Sequence, residues 1–328
     1  MSHLSRRRFL RLLGGGLGIL GSVLTGCRKA GSMLGKSSDS SKEKLDPTAT
    51  VKIDSPLPTS TREEQTVETS VPEAAPTVSS TPTTAFRPPH LAVTRNGSPQ
   101  RLVKKAIKAL GGMGEFVQSG DDVIIKPNIC VAYHSYEYAA TTNPFVVATL
   151  VELALGYGAR RVRVMDNPFG GSAQQAYVRS GIQKAVEAAG GRMEVMSDFK
   201  YVKKKISGGK DLQECKIYQD VLQTDVLINV PIIKHHGLAR MTLSMKNLMG
   251  VIQNRPAMHH NLGQRLADLS TRVRSHLVVV DGVRMLMRHG PSGGNLGDVK
   301  KADTVIASKD VVAADSYAAT LFGLKPNN

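Results

Sequence analysis

The stretch Val226-Leu227-Ile228-Asn229-Val230-Pro231-Ile232-Ile233-Lys234-His235-His236-Gly237 decides the fold class. It is almost wholly apolar for eight residues and then turns abruptly into Lys-His-His-Gly. A strand that is apolar throughout, rather than at every second residue, is one covered on both faces, as in a parallel sheet flanked by helices. In open sheets of that kind the ligand lies beyond the carboxyl ends of the strands. The residues immediately after each apolar run are therefore the most informative part of the sequence.

Working outward from this run, apolar segments of strand length alternate with helical spacing. Strands are expected at Leu91–Thr94, Val123–Ile125, Arg161–Met165 and His276–Val280, with Thr304–Ser308 last. Weaker ones are expected at Arg192–Met196 and Val202–Ile206. Helices are expected over Gln100–Leu110, Pro144–Leu155, Leu262–Arg274 and Asp310–Leu321. Asn143 is placed to cap the second of these, with Pro144 in its first turn. Gln174–Ala189 reads as one or two helices interrupted near Ser180-Gly181. The expected fold is α/β: a mainly parallel sheet with helices on both faces over residues 90–328, preceded by a disordered N-terminal tether.

The chain has 328 residues and a net charge of +16. Residues 90–328 carry 31 Lys and Arg against 19 Asp and Glu, so the folded body itself is basic and an anionic partner is expected. Three Cys exclude a disulfide-stapled small fold. Nucleic acid is not the expected anion, because the interleaving of aromatic and basic residues found in stacking platforms is missing.

The beginning of the chain reads as an address. Ser5-Arg6-Arg7-Arg8-Phe9-Leu10-Arg11 fits the twin-arginine export pattern, with a short Gly-rich apolar stretch after it. Leu24-Thr25-Gly26-Cys27 resembles a lipobox whose Cys becomes the lipidated N-terminus. Residues 1–26 are thus expected to be a signal peptide. Residues 27–89 are expected to be a linker, because 23 of the 44 residues from Asp46 to Pro89 are Ser, Thr or Pro. Such a composition cannot bury enough apolar surface to offset chain entropy. The expected location is the outer face of the cytoplasmic membrane or the periplasm, with the membrane as partner through Cys27.

Four strand ends carry candidate chemistry: Lys126-Pro127-Asn128, Asp166-Asn167-Pro168, Lys234-His235-His236 and Asp281-Gly282. A fifth segment, Met245-Lys246-Asn247-Leu248-Met249-Gly250, adds another Lys-Asn pair, and Gly290-Pro291-Ser292-Gly293-Gly294 a Gly-rich turn. In this order the segments resemble the family catalogued as domain of unknown function 362, over about residues 90–325. The family has no generally assigned reaction. Many members carry a ferredoxin-like segment with iron–sulfur clusters, so the resemblance implies a redox partner. Here no C-x₂-C-x₂-C run exists, and with Cys27 lipidated only Cys130 and Cys215 remain. One chain therefore cannot supply the four thiolates of a cubane cluster.

Lys234, His235 and Asp281 are the candidate catalytic groups. Lys126, Asn128, Asp166, Lys246, Asn247, Gly293 and Gly294 are the candidate ligand-binding ones, since ammonium groups and Gly-rich turns suit phosphate or carboxylate. The alternatives are solvated lysines, turn asparagines and a plain connecting loop. His236 with His260 are candidate ligands for a divalent metal, joined by an Asp, although no H-x-x-x-H spacing supports them. A His acting as acid or base, or merely capping a loop, is equally open. These residues are compatible with three function classes: an enzyme on a small anionic metabolite, a solute-binding lipoprotein serving a transporter, and an electron-transfer accessory with a shared cluster. No cofactor is identified.

Overall fold

The computed structural model describes residues 89–325. The expected signal peptide, Cys27 and nearly all of the tether lie outside them. Strands β1 (Leu91–Arg95), β2 (Asp122–Pro127), β3 (Arg161–Val164), β4 (Arg192–Met193), β7 (Val226–Val230), β10 (Leu277–Leu286) and β11 (Val299–Ser308) form one sheet. Its order is β1-β11-β10-β7-β2-β3-β4. The stretch from β10 to β4 is parallel throughout, while β11 is antiparallel to both β10 and β1. The sheet is therefore mixed and mostly parallel, as the apolar runs predict. Two further strands, β8 (Ile232–His236) and β9 (Arg240–Thr242), extend from β10, and β5 (Tyr201–Lys205) pairs only with β6 (Glu214–Tyr218).

Alternate residues of the central strands β2, β7 and β10 feed different cores, which accounts for their apolar runs. Val123 and Ile125 pack with helices α1 (Pro99–Ala109), α2 (Pro144–Gly156), α3 (Ala173–Arg179) and α4 (Ile182–Ala188) on one face. Ile124 and Leu227 pack on the other with Leu269 of α7 (Leu262–Arg272), and Val278 and Val280 with Ala314 and Ala318 of α8 (Val311–Leu321). Short helices α5 (Gln219–Gln223) and α6 (Ser244–Asn247) complete the set. The expected cap forms: the Asn143 side chain accepts a hydrogen bond from the Phe145 N–H at 3.0 Å. Among the described residues no helix is long and apolar enough to cross a membrane.

Two of the differences from the sequence reading govern the site. Val226–Ile233 is two strands rather than one. Pro231 has no N–H to donate to a ladder, and its carbonyl accepts from the Asp281 N–H at 2.8 Å. β7 pairs with β2 as far as Pro127–Val230, whereas β8 pairs with β10 and β9 and not with β2. A gap thus opens beyond the carboxyl end of β2. Secondly, β10 does not stop at Val280 but continues through Asp281-Gly282, so Asp281 lies inside the sheet rather than in a loop.

Candidate functional site

The gap between β2 and β8 holds a cavity of about 440 Å³, within the range of small-molecule sites. β2 contributes Lys126, followed by Asn128 and Cys130; the end of β3 leads to Asp166, and β8 contributes Lys234 and His236. α6 contributes Lys246 and Asn247, and the turn after it Met249 and Gly250. Strand alternation decides which residues of Lys234-His235-His236 enter: the first and third face the cavity and the second does not.

Two of the lysines are held in a buried network. Lys126 Nζ sits 2.8 Å from Asp166 Oδ1 and donates to Asn247 Oδ1 and to the Pro127 carbonyl, each at 3.0 Å. Asp166 Oδ2 accepts from the Ile129 N–H at 2.7 Å, while Oδ1 meets the ammonium obliquely, as an ion pair without a linear hydrogen bond. Lys234 Nζ donates to Asn128 Oδ1 at 2.9 Å and to the Ala140 carbonyl at 2.6 Å. The Asn128 amide donates to Asn247 Oδ1 at 2.9 Å, and Asn247 donates to Asn229 Oδ1 at 2.8 Å. The two asparagines therefore hold two ammonium groups apart and in place. Burial pulls the Lys126 amine below its ordinary value, with Asp166 opposing the shift.

Lys246 is different. Its nearest polar partner is the thioether of Met249 at 3.8 Å. Burial, with Lys234 and Arg255 nearby, brings its pKa down to about 8. The backbone of α6 is held by Asp315 of α8, whose carboxylate accepts from the N–H groups of Ser244 at 2.7 Å and Met245 at 3.0 Å. Arg255 reaches the cavity while donating to the carbonyls of Asn167 at 2.8 Å and Pro168 at 3.1 Å. His236 Nδ1 accepts from the N–H groups of Leu238 and Ala239 at 3.2 and 3.3 Å, so the neutral ring carries its proton on Nε2. Burial first, then the surrounding lysines, lower its pKa to about 4, and the ring is neutral at pH 7. Three lysines, one arginine, two histidines and one carboxylate, Asp166, thus line the cavity.

Seven of the twelve candidate site residues converge here: Lys126, Asn128, Asp166, Lys234, His236, Lys246 and Asn247. His235 does not line it; its Nδ1 accepts from the Gly290 N–H at 3.1 Å. Asp281 is wholly buried in β10, where its oxygens accept from the N–H groups of Asn143 at 2.7 Å and Val283 at 2.9 Å. It anchors the start of α2. The Gly-rich loop lends Gly290 and Pro291 to the cavity wall, whereas Gly293 and Gly294 form the turn beyond it. His260 is exposed outside the cavity, and the ring opposite His236 is that of His259, at 6.4 Å between centroids. Among the described residues no three His, Cys, Asp or Glu side chains are grouped to hold a metal ion. Cys130 borders the cavity; Cys215 packs in another core, where burial pushes its thiol up to about 11. Sequence reasoning missed Arg255, which stands outside every motif.

Asp281 provides a pH signature of the fold. Burial raises its pKa to about 6, above the unfolded carboxyl, so between pH 4 and 6 the folded chain holds the extra proton. Stability attributable to this group is expected to fall as pH rises through that window, by about 2–3 kcal/mol, and then to level off. Chemical denaturation of the wild type and Asp281→Asn across pH 4–7 measures it. A constant difference between the two would contradict the assignment.

Residues 123–320 match the family model described as "Domain of unknown function (DUF362)". The chain belongs to the DUF362 family. A thylakoid-associated protein of Synechocystis is 27% identical over 247 residues, covering 70% of this chain and 72% of that protein. Among solved structures, the lactate racemase apoprotein of Thermoanaerobacterium thermosaccharolyticum aligns with a TM-score of 0.45 and 11% identity, over 70% of this chain and 56% of that one. A Thermotoga maritima protein aligns at 0.44 with 9% identity, over 69% and 60%. Both likenesses to this DUF362 body are distant, and the chain spans little more than half of those two proteins.

Proposed function

We propose that the DUF362 body binds a small organic anion, a carboxylate or phosphate metabolite, in the cavity between β2 and β8 and acts on it as an enzyme. One observation carries this reading: Lys126, Lys234, Lys246 and Arg255 converge on one half-open cavity that contains a single carboxylate, already paired with Lys126. The remaining positive charge is partly desolvated and has no protein counter-ion at the wall, which favours an incoming anion. The weakly basic Lys246 supplies a group that exchanges protons near neutral pH, and the neutral His236 supplies a hydrogen-bond donor in the same wall, which favours catalysis over simple capture. One large sheet running through the body, rather than two similar halves, points the same way. Within the same proposal, export by the twin-arginine route and lipidation at Cys27 hold the body at a membrane surface outside the cytoplasm. A relative named for association with thylakoids is in keeping with such a placement.

Thermal unfolding of the full chain tests the binding. Phosphate or pyruvate at a hundredfold excess over Kd is expected to add about 2.7 kcal/mol, a shift of several degrees. Choline chloride at equal ionic strength should add little. Arg255→Met and Lys234→Met should each remove most of the anion shift. Equal shifts with choline, or unchanged shifts in both variants, would overturn the proposal.

A further inference from the structure

The three cavity lysines are not equivalent, and the difference points to covalent chemistry. Lys126 is saturated by one carboxylate and two oxygen acceptors, while Lys234 gives two of its three N–H groups to an amide and a backbone carbonyl and keeps the third. An amine so held is fixed in position by the protein's own acceptors. Lys246 has no oxygen acceptor within hydrogen-bond reach among the described residues, only the Met249 sulfur at 3.8 Å. Its stem stands on α6, fixed by Asp315, and its amine faces the cavity beside Lys234 and Arg255.

We infer that Lys246 is a nucleophilic amine that forms an imine with a small carbonyl compound bearing a carboxylate or phosphate. The inference rests on the anion-binding reading of the same cavity. Lys234 and Arg255 would take the anionic group and bring the carbonyl carbon to Lys246 Nζ. The nitrogen lone pair attacks that carbon, and the carbonyl π electrons move to oxygen. The carbinolamine then loses this oxygen as water, together with the two amine protons, and a C=N bond replaces C=O. No oxidant or reductant is consumed. His236, with its proton on Nε2, is placed in the same wall to donate a hydrogen bond to the departing oxygen. An amine of pKa about 8 is about one-tenth neutral at pH 7 and half neutral at pH 8, against well under one-thousandth at pH 7 for an ordinary lysine.

The test traps the imine. The full chain is incubated with pyruvate or dihydroxyacetone phosphate, reduced with sodium borohydride, and read by intact-mass and peptide mass spectrometry. Calorimetry on the same samples reports binding before reduction. The expected result is a single reduced adduct on Lys246, formed about fivefold faster at pH 8 than at pH 7. In Lys246→Arg the probe still binds and the adduct disappears. The pyruvate and phosphate arms distinguish a carboxylate-bearing from a phosphate-bearing substrate. Binding without a Lys246 adduct in either arm would overturn the imine and leave the anion site standing. Absence of binding in both arms would overturn the imine and the anion reading together. Adducts unchanged in Lys246→Arg would place the chemistry elsewhere and equally overturn the inference.

Discussion

Asp166→Asn is expected to destabilise the fold by about 3–5 kcal/mol, the cost of breaking a buried pair by removing one partner. The substitution keeps the shape of the side chain but strands the Lys126 ammonium, whose nitrogen is wholly buried on β2. Such a loss is a large share of the stability of an ordinary domain. Because the amine already sits below its ordinary pKa, it can escape by losing its proton. The cost should therefore shrink as pH rises. Urea denaturation at pH 6 and pH 9 measures both effects, and the double variant with Lys126→Met should cost less than the two single changes added. A loss under about 1 kcal/mol, as for an exposed ion pair, would show that the pair does not organise this end of the sheet.

Gly250→Ala is expected to disrupt the same centre without altering any charge. A Cβ at Gly250 would collide with Asp166 Oδ1 and lie 2.7 Å from Lys126 Nζ and 2.8 Å from Lys126 Cε. The turn after α6 thus crosses directly above the ion pair, and only a residue without a side chain fits. Overpacking a buried site costs about 1–3 kcal/mol. Here the displaced atoms are a buried ion pair, so the loss should reach or exceed the upper end. The anion-induced thermal shift should vanish with it, because Lys246 and Asn247 move with the turn. An alanine variant of normal stability and normal anion response would place this backbone elsewhere.

The two residues of the ion pair are legible as strand-end chemistry, and the reason is general. Central parallel strands are rich in apolar residues, so Val123–Ile125 and the valines of Arg161–Met165 stand out, and the first polar residues after them fall at the ligand-bearing edge. Lys234 is legible by the same rule. Its neighbours are not, because Pro231 divides the apolar run and starts a second strand, and alternation along that strand sends His236 inward and His235 outward. Asp281 misleads for a related reason. An acidic residue after four apolar ones looks like a strand end, yet this carboxyl is accommodated inside β10 by two N–H donors, one of them 138 residues away in sequence. Arg255 carries no local signal at all. Its place is set by carbonyls of Asn167 and Pro168, which only the folded chain brings near.

Titration calorimetry of pyruvate and of inorganic phosphate into the full chain, beside Lys234→Met, tests the convergence of these cations most directly. Saturable one-to-one binding is predicted for the wild type, weakening as salt rises, with the loss of Lys234 costing tenfold or more in affinity. Heats that are absent, or identical in the two proteins, would mean that the cations meet in space without forming a common site.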